Sequence, residues 1–210
     1  MNNKIIRYLF IMLLWFLIVL PAFGSELRLA RQYATYEWTP TEANIDNELY
    51  TTLGRSSVFT AGQKVTGVAY SWGNWDKIAE FEQRIKKGEP AGLIYSTYFK
   101  DGKETKTPYS LYIKFAGIDC SGFVSQIWGL SDKFGTSNLH DVGYRIPIWD
   151  SGLNDVWNKA SSHVMWISSS NIENDIVKYE GYHALGNRTE GKVVDYERDN
   201  RWFVNNGYIL

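Results

Sequence analysis

In this sequence helical patterns lie before residue 131, and the long alternating apolar segments lie after residue 162. Trp75 to Lys87 places Ile78, Phe81 and Ile85 at i, i+3 and i+7 with Lys and Glu between them, and Gly88-Glu89-Pro90 stops the pattern. Phe123, Val124, Ile127, Trp128 and Leu130 form a second apolar helical face. Leu27 to Tyr36 and Ile45 to Leu53 are shorter helical candidates at the front of the chain. Afterwards His163 to Ile167, Ile176 to Glu180 and Lys192 to Tyr196 alternate as strands, with Gly181 to Gly191 expected as a loop carrying His183 and Arg188. Trp202 to Val204 and Gly207 to Leu210 suggest a last, broken strand. Helices first and strands afterwards predict an α+β domain.

Residues 1–24 are set apart from that fold. Lys4 and Arg7 precede an apolar run from Tyr8 to Leu20; Pro21 breaks it, and Ala22-Phe23-Gly24 supplies small residues at the two positions a signal peptidase reads. This is the pattern of a secretory signal cleaved after Gly24, so a periplasmic or secreted protein is expected, without a stable membrane anchor. An uncleaved N-terminal anchor is the alternative, although the run is short for a membrane span. No cysteine lies near the cleavage site to carry a lipid. Residues 25–210 suit one domain; no repeat or low-complexity linker divides them. Without Lys4 and Arg7 the chain carries 20 basic against 23 acidic residues, which gives no reason to expect nucleic acid as a partner. Aromatic residues make up 16%, enough to fill a core and also line a groove.

The single cysteine, Cys120, stands in Gly117-Ile118-Asp119-Cys120-Ser121-Gly122-Phe123. It falls at or just before the first turn of the helix that Phe123 to Leu130 predict. Unpaired N–H groups and the positive end of the helix dipole favour an anion there, which lowers a thiol's pKa and makes it a nucleophile. Alternatively Cys120 is a small buried hydrophobe, as most lone cysteines are. An exported chain with one cysteine has no internal disulfide partner, so its free thiol calls for a reason. His163 opens its strand, Gly67-Val68-Ala69-Tyr70-Ser71-Trp72-Gly73-Asn74 is an aromatic, glycine-bearing segment, and His140 reads as a surface histidine. Phe99 to Pro108 is polar and lysine-rich, with Asp101-Gly102 as a turn, and is expected as an exposed loop or hairpin near the site.

Asp119-Cys120-Ser121-Gly122-Phe123 with His163-Val164 some forty residues later resembles the NlpC/P60 family of papain-like bacterial cell-wall cysteine peptidases. Gly67 to Gly73 is similar to that family's upstream glycine–tyrosine–tryptophan–glycine segment, and Leu153-Asn154-Asp155-Val156 stands where members carry a glycine-aspartate pair. The likeness covers about residues 62–197. It implies a papain-like domain in which helices, one bearing the nucleophile at its N-terminus, pack on an antiparallel sheet. The chain departs from the family in a long elaboration at about 75–116, in Asn154 for glycine, and in its third catalytic position. There Glu180 fits a subset of members with glutamate and is favoured because it closes, in register, the strand after the histidine strand. His183-Ala184, which resembles the commoner histidine-alanine pair, is the alternative.

The implied roles are Cys120 as nucleophile, His163 as acid and base, Glu180 as the group orienting His163, and the Tyr70 hydroxyl as an oxyanion donor. No cofactor or metal is called for. The expected function is cleavage of peptide or amide bonds in peptidoglycan stem peptides through a Cys thioester. The alternatives are a non-catalytic muropeptide- or partner-binding module on the same fold, and an acyltransferase.

Overall fold

The computed structural model describes residues 24–45 and 48–210. The leader expected over residues 1–24 lies, apart from Gly24, outside the described residues. Among them no helix is long and apolar enough to cross a membrane.

The front of the chain forms α1 (Ser25–Thr35), β1 (Glu37–Trp38), α2 (Glu42–Ile45), α3 (Glu48–Leu53), β2 (Val65–Thr66), α4 (Ile78–Lys86), β3 (Thr97–Lys100), β4 (Lys103–Lys106), α5 (Tyr109–Tyr112) and α6 (Cys120–Ile127). The back forms β5 (Val156–Lys159), β6 (His163–Glu173), β7 (Ile176–Leu185), β8 (Lys192–Asp199) and α7 (Asn200–Asn205). The four long strands make one sheet in the order β5-β6-β7-β8, and it and the two small two-stranded sheets are antiparallel. The architecture is therefore α+β, with its main helices before its main sheet.

Strand alternation decides what each face of the sheet carries. Val164 and Trp166 of β6, Ala184 of β7 and Val193 of β8 join the core that holds Phe123, Val124 and Ile127 of α6 and Ala30 and Tyr33 of α1. Met165 and Ile167, Tyr179 and Tyr196 point the other way, into a second core closed by Trp157 and by Phe203 of α7. The Phe203 ring stacks on Trp157 at 4.7 Å between centroids. A third, smaller core of Tyr50, Leu53, Leu93 and Phe115 ties α3 to the elaboration. The 75–116 stretch is thus a packed extension of the domain. Its exposed β3–β4 hairpin brings the Lys106 ammonium to 5.9 Å from the Trp72 ring, two residues from Tyr70.

Two sequence expectations fail here. The last strand expected over 202–204 is the helix α7, started by Asp199, whose Oδ1 accepts from the Trp202 N–H at 2.9 Å. The loop expected from Gly181 is the second half of β7, which continues to Leu185 and carries His183 within the sheet.

Candidate active site

Cys120 is the first residue of α6. Asp119, just before it, is the N-cap and the most connected side chain of the site. Its Oδ1 accepts from the Gly122 N–H at 2.6 Å and from the Ser121 hydroxyl at 3.0 Å. Its Oδ2 accepts from the Gly73 N–H at 2.9 Å and meets the Lys133 ammonium at 2.9 Å. The Asp119 N–H in turn donates to the Asn74 carbonyl at 2.8 Å. One carboxylate therefore caps the helix and clamps it to the 67–74 segment. Gly122 is required by the same contact: a Cβ there would lie 2.5 Å from the Asn74 carbonyl oxygen.

The 67–74 segment is held from several sides. Tyr70 donates its N–H to the Gly191 carbonyl at 2.7 Å, and Ser71 its N–H to Ile118 at 3.1 Å. The Asn74 amide donates to Ser71 Oγ, to Tyr112 O and to Phe115 O. The Tyr70 ring lies against Gly186, buried, and its phenol is held neutral far above its ordinary range by burial and then by the nearby Cys120 and Asp119.

His163 opens β6 and shares a face of that strand with Met165. The pairing of Trp166 with Tyr182 brings His183 of β7 to the same face. There His163 Nε2 lies 2.7 Å from His183 Nδ1, with the rings edge to face. Glu180, favoured in the sequence reading, makes its hydrogen bond elsewhere. It sits three positions from His183 on an unbroken strand, and its exposed carboxylate accepts from the Ser169 hydroxyl at 3.2 Å. His183, the alternative, is the residue that meets His163.

The Cys120 thiol, 6% exposed, has the N–H groups of Val164 and Ser121 near enough to favour its ionised form. Val164 follows His163 directly, so the backbone of the histidine strand favours the ionised sulfur. No hydrogen bond joins the two side chains among the described residues. The expected lowering of the thiol pKa does not hold. Burial, followed by the Asp119 charge, pushes it up to about 12 against the N–H groups and Lys133. Burial likewise lowers His163, to about 4, and His183, where the His163 and Arg198 charges add to it. The resting site is a neutral thiol beside two neutral imidazoles.

The imidazole pair makes stability depend on pH. Both rings are neutral when folded, but in the unfolded chain they take protons near pH 6.5. Their contribution is complete above about pH 6.5 and is lost as pH falls toward the folded values. The loss is up to roughly 2 kcal/mol per histidine at pH 5. Urea unfolding at pH 7 and pH 5 should show this loss in the native chain, and it should largely disappear in a His163→Gln/His183→Gln variant. Equal losses in the two chains would contradict the buried neutral pair.

A cavity of about 710 Å³ opens at the imidazoles, bounded by Met165, Tyr182, Arg198, Trp202 and Tyr208. His140 lies elsewhere, exposed and beside Asp141, on the rim of a separate apolar cavity. No cluster of metal-binding side chains occurs among the described residues. No protein-family model, curated protein or solved structure matches this chain.

Proposed function

We propose that this protein is an exported cysteine hydrolase with a papain-like, NlpC/P60-type domain, acting on peptidoglycan stem peptides. The observation that carries the reading is the 2.7 Å contact between His163 Nε2 and His183 Nδ1 on neighbouring strands, beside Val164, whose N–H favours the ionised Cys120 sulfur. A base and a group that orients it are then in contact, and the proposed nucleophile lies near the residue that follows the base in the chain.

Each group has a step. His163 takes the thiol proton on Nδ1 as Sγ attacks the carbonyl carbon, and its Nε2–H donates to His183 Nδ1 throughout. The suppressed basicity of His183 matters here, because it keeps Nδ1 an acceptor beside the imidazolium that forms. The imidazolium then protonates the leaving amine as the C–N bond breaks, leaving a thioester on Cys120. His163 next removes a proton from water, which attacks the thioester and frees the acid and the thiol. Thiol–imidazole hydrogen bonds of this kind often tighten only once substrate is bound, and a neutral resting pair is compatible with transfer during attack.

The backbone N–H of Cys120 and the Tyr70 hydroxyl are the proposed oxyanion donors. One such donor is worth roughly 3–4 kcal/mol, so Tyr70→Phe should lower kcat by about a hundredfold or more with little change in KM. A raised KM at constant kcat would place Tyr70 in binding instead. The bond proposed for cleavage is γ-D-glutamyl–diaminopimelate, or its lysine counterpart.

A second reading is favoured by the buried, neutral thiol: a module of the same fold that binds muropeptides without cleaving them. An acyloxymethyl ketone built on a γ-glutamyl dipeptide separates the two. The hydrolase reading predicts a thioether on Cys120 whose formation needs His163. No adduct, or one formed equally fast in His163→Ala, favours the binding module.

A further inference from the structure

The turn that follows α6 folds back along it. Phe134 donates its N–H to Ser125 Oγ at 3.1 Å and packs against the core that contains α6. This return places Lys133 beside the start of the helix, thirteen residues on from Cys120 in the chain. Its Nζ lies 2.9 Å from Asp119 Oδ2 and 3.4 Å from Ser121 Oγ, and the side chain is only 21% exposed. A lysine withdrawn from water to that extent loses hydration and rotamer freedom, which surface lysines keep.

Asp119 explains what the lysine does there. As an ionised N-cap it fixes the helix, yet it also sets a negative charge next to the sulfur that has to become negative. Around Cys120, Tyr70 comes from the 67–74 segment, His163 and the Val164 N–H from β6, and Tyr208 from the tail after α7. All of these are neutral at pH 7. The charged side chains that act on the thiol are Asp119 and Lys133, with opposite effects.

We propose that Lys133 is a positioning residue of the thiol site, holding the Asp119 carboxylate and offsetting part of its charge where the Cys120 sulfur ionises. The proposal rests on reading Cys120 as the nucleophile, and it gives the loop after α6 a part in reactivity.

The test measures alkylation of Cys120 by iodoacetamide from pH 6 to 10 in the native chain and its variants, followed by intact mass. It needs no substrate, so it stands apart from whether the protein cleaves peptidoglycan. In Lys133→Met the rate at pH 7.5 should fall about tenfold and its pH profile should move upward by about one unit, because the rate follows the thiolate fraction. Lys133→Arg should restore the rate to within about threefold. The Asp119→Asn/Lys133→Met pair should also recover it, since Asn still caps the helix and neither charge is left. A purely structural lysine would leave that pair as slow as Lys133→Met, or slower. Either result, or an unchanged profile in Lys133→Met, overturns the proposal. Should Lys133→Met lose its thermal transition, Asp119→Asn alone decides: its alkylation must be faster than in the native chain, and an equal or slower rate overturns the proposal.

Discussion

Replacing His183 with alanine should lower the proposed hydrolase turnover by about a hundred- to ten-thousandfold, whereas Glu180→Gln should stay within about twofold of the native protein. The first figure is the scale seen when the group orienting a catalytic imidazole is removed. In His183→Ala the His163 Nε2–H loses its 2.7 Å partner, so both the tautomer and the ring angle of the base become free. Glu180 lines the same cavity but bonds the Ser169 hydroxyl, and its loss removes one exposed bond. Steady-state rates of the two variants, with His183→Asn as a partial replacement, check this. A severe loss in Glu180→Gln alone would contradict the geometry.

Asp119→Ala should be the most destabilising single change near the site, costing about 3–5 kcal/mol. It removes the helix cap, leaves the Gly73 N–H and the Ser121 hydroxyl without their acceptor, and strands Lys133 with no counter-charge in a setting that is largely closed to water. Asp119→Asn keeps the cap and should lose less than half as much. For a domain of this size the alanine change corresponds to a fall of roughly 10 °C in Tm, readable by calorimetry. A loss below about 1 kcal/mol would mean that the 67–74 segment is held elsewhere.

The particular errors of the sequence reading have physical causes. Gly181 reads as a strand end because glycine commonly marks turns. In the fold it sits inside β7, where a Cβ would lie 1.9 Å from the Trp166 carbonyl oxygen and 2.8 Å from the Tyr196 ring. The glycine permits a close approach, and mistaking it for a break put His183 in a loop and favoured Glu180. Trp202-Phe203-Val204 has strand composition, but Asp199 caps it from the front and Gly207, at φ 76°, follows its end. Those are helix-terminus signals, and they outweigh the β preference of the three side chains.

The site itself was legible in parts. The start of α6 followed from the apolar period after Cys120, and of the loop or hairpin expected around Asp101-Gly102 the fold forms the hairpin. The thiol's electrostatics were not legible. The expectation of a lowered pKa rested on the helix N-terminus, while the fold adds near-complete burial and the Asp119 charge, and both oppose ionisation. Lys133 was invisible because its proximity depends on the turn at 131–134 folding back, which no local pattern announces.

The central claim, that Cys120 drives cleavage of wall peptides, is tested most directly by incubating purified peptidoglycan with the native protein and with Cys120→Ala and identifying the released fragments by mass. The account predicts stem-peptide fragments that appear only with the native cysteine. No cysteine-dependent fragment from several wall types would contradict it and favour a binding module.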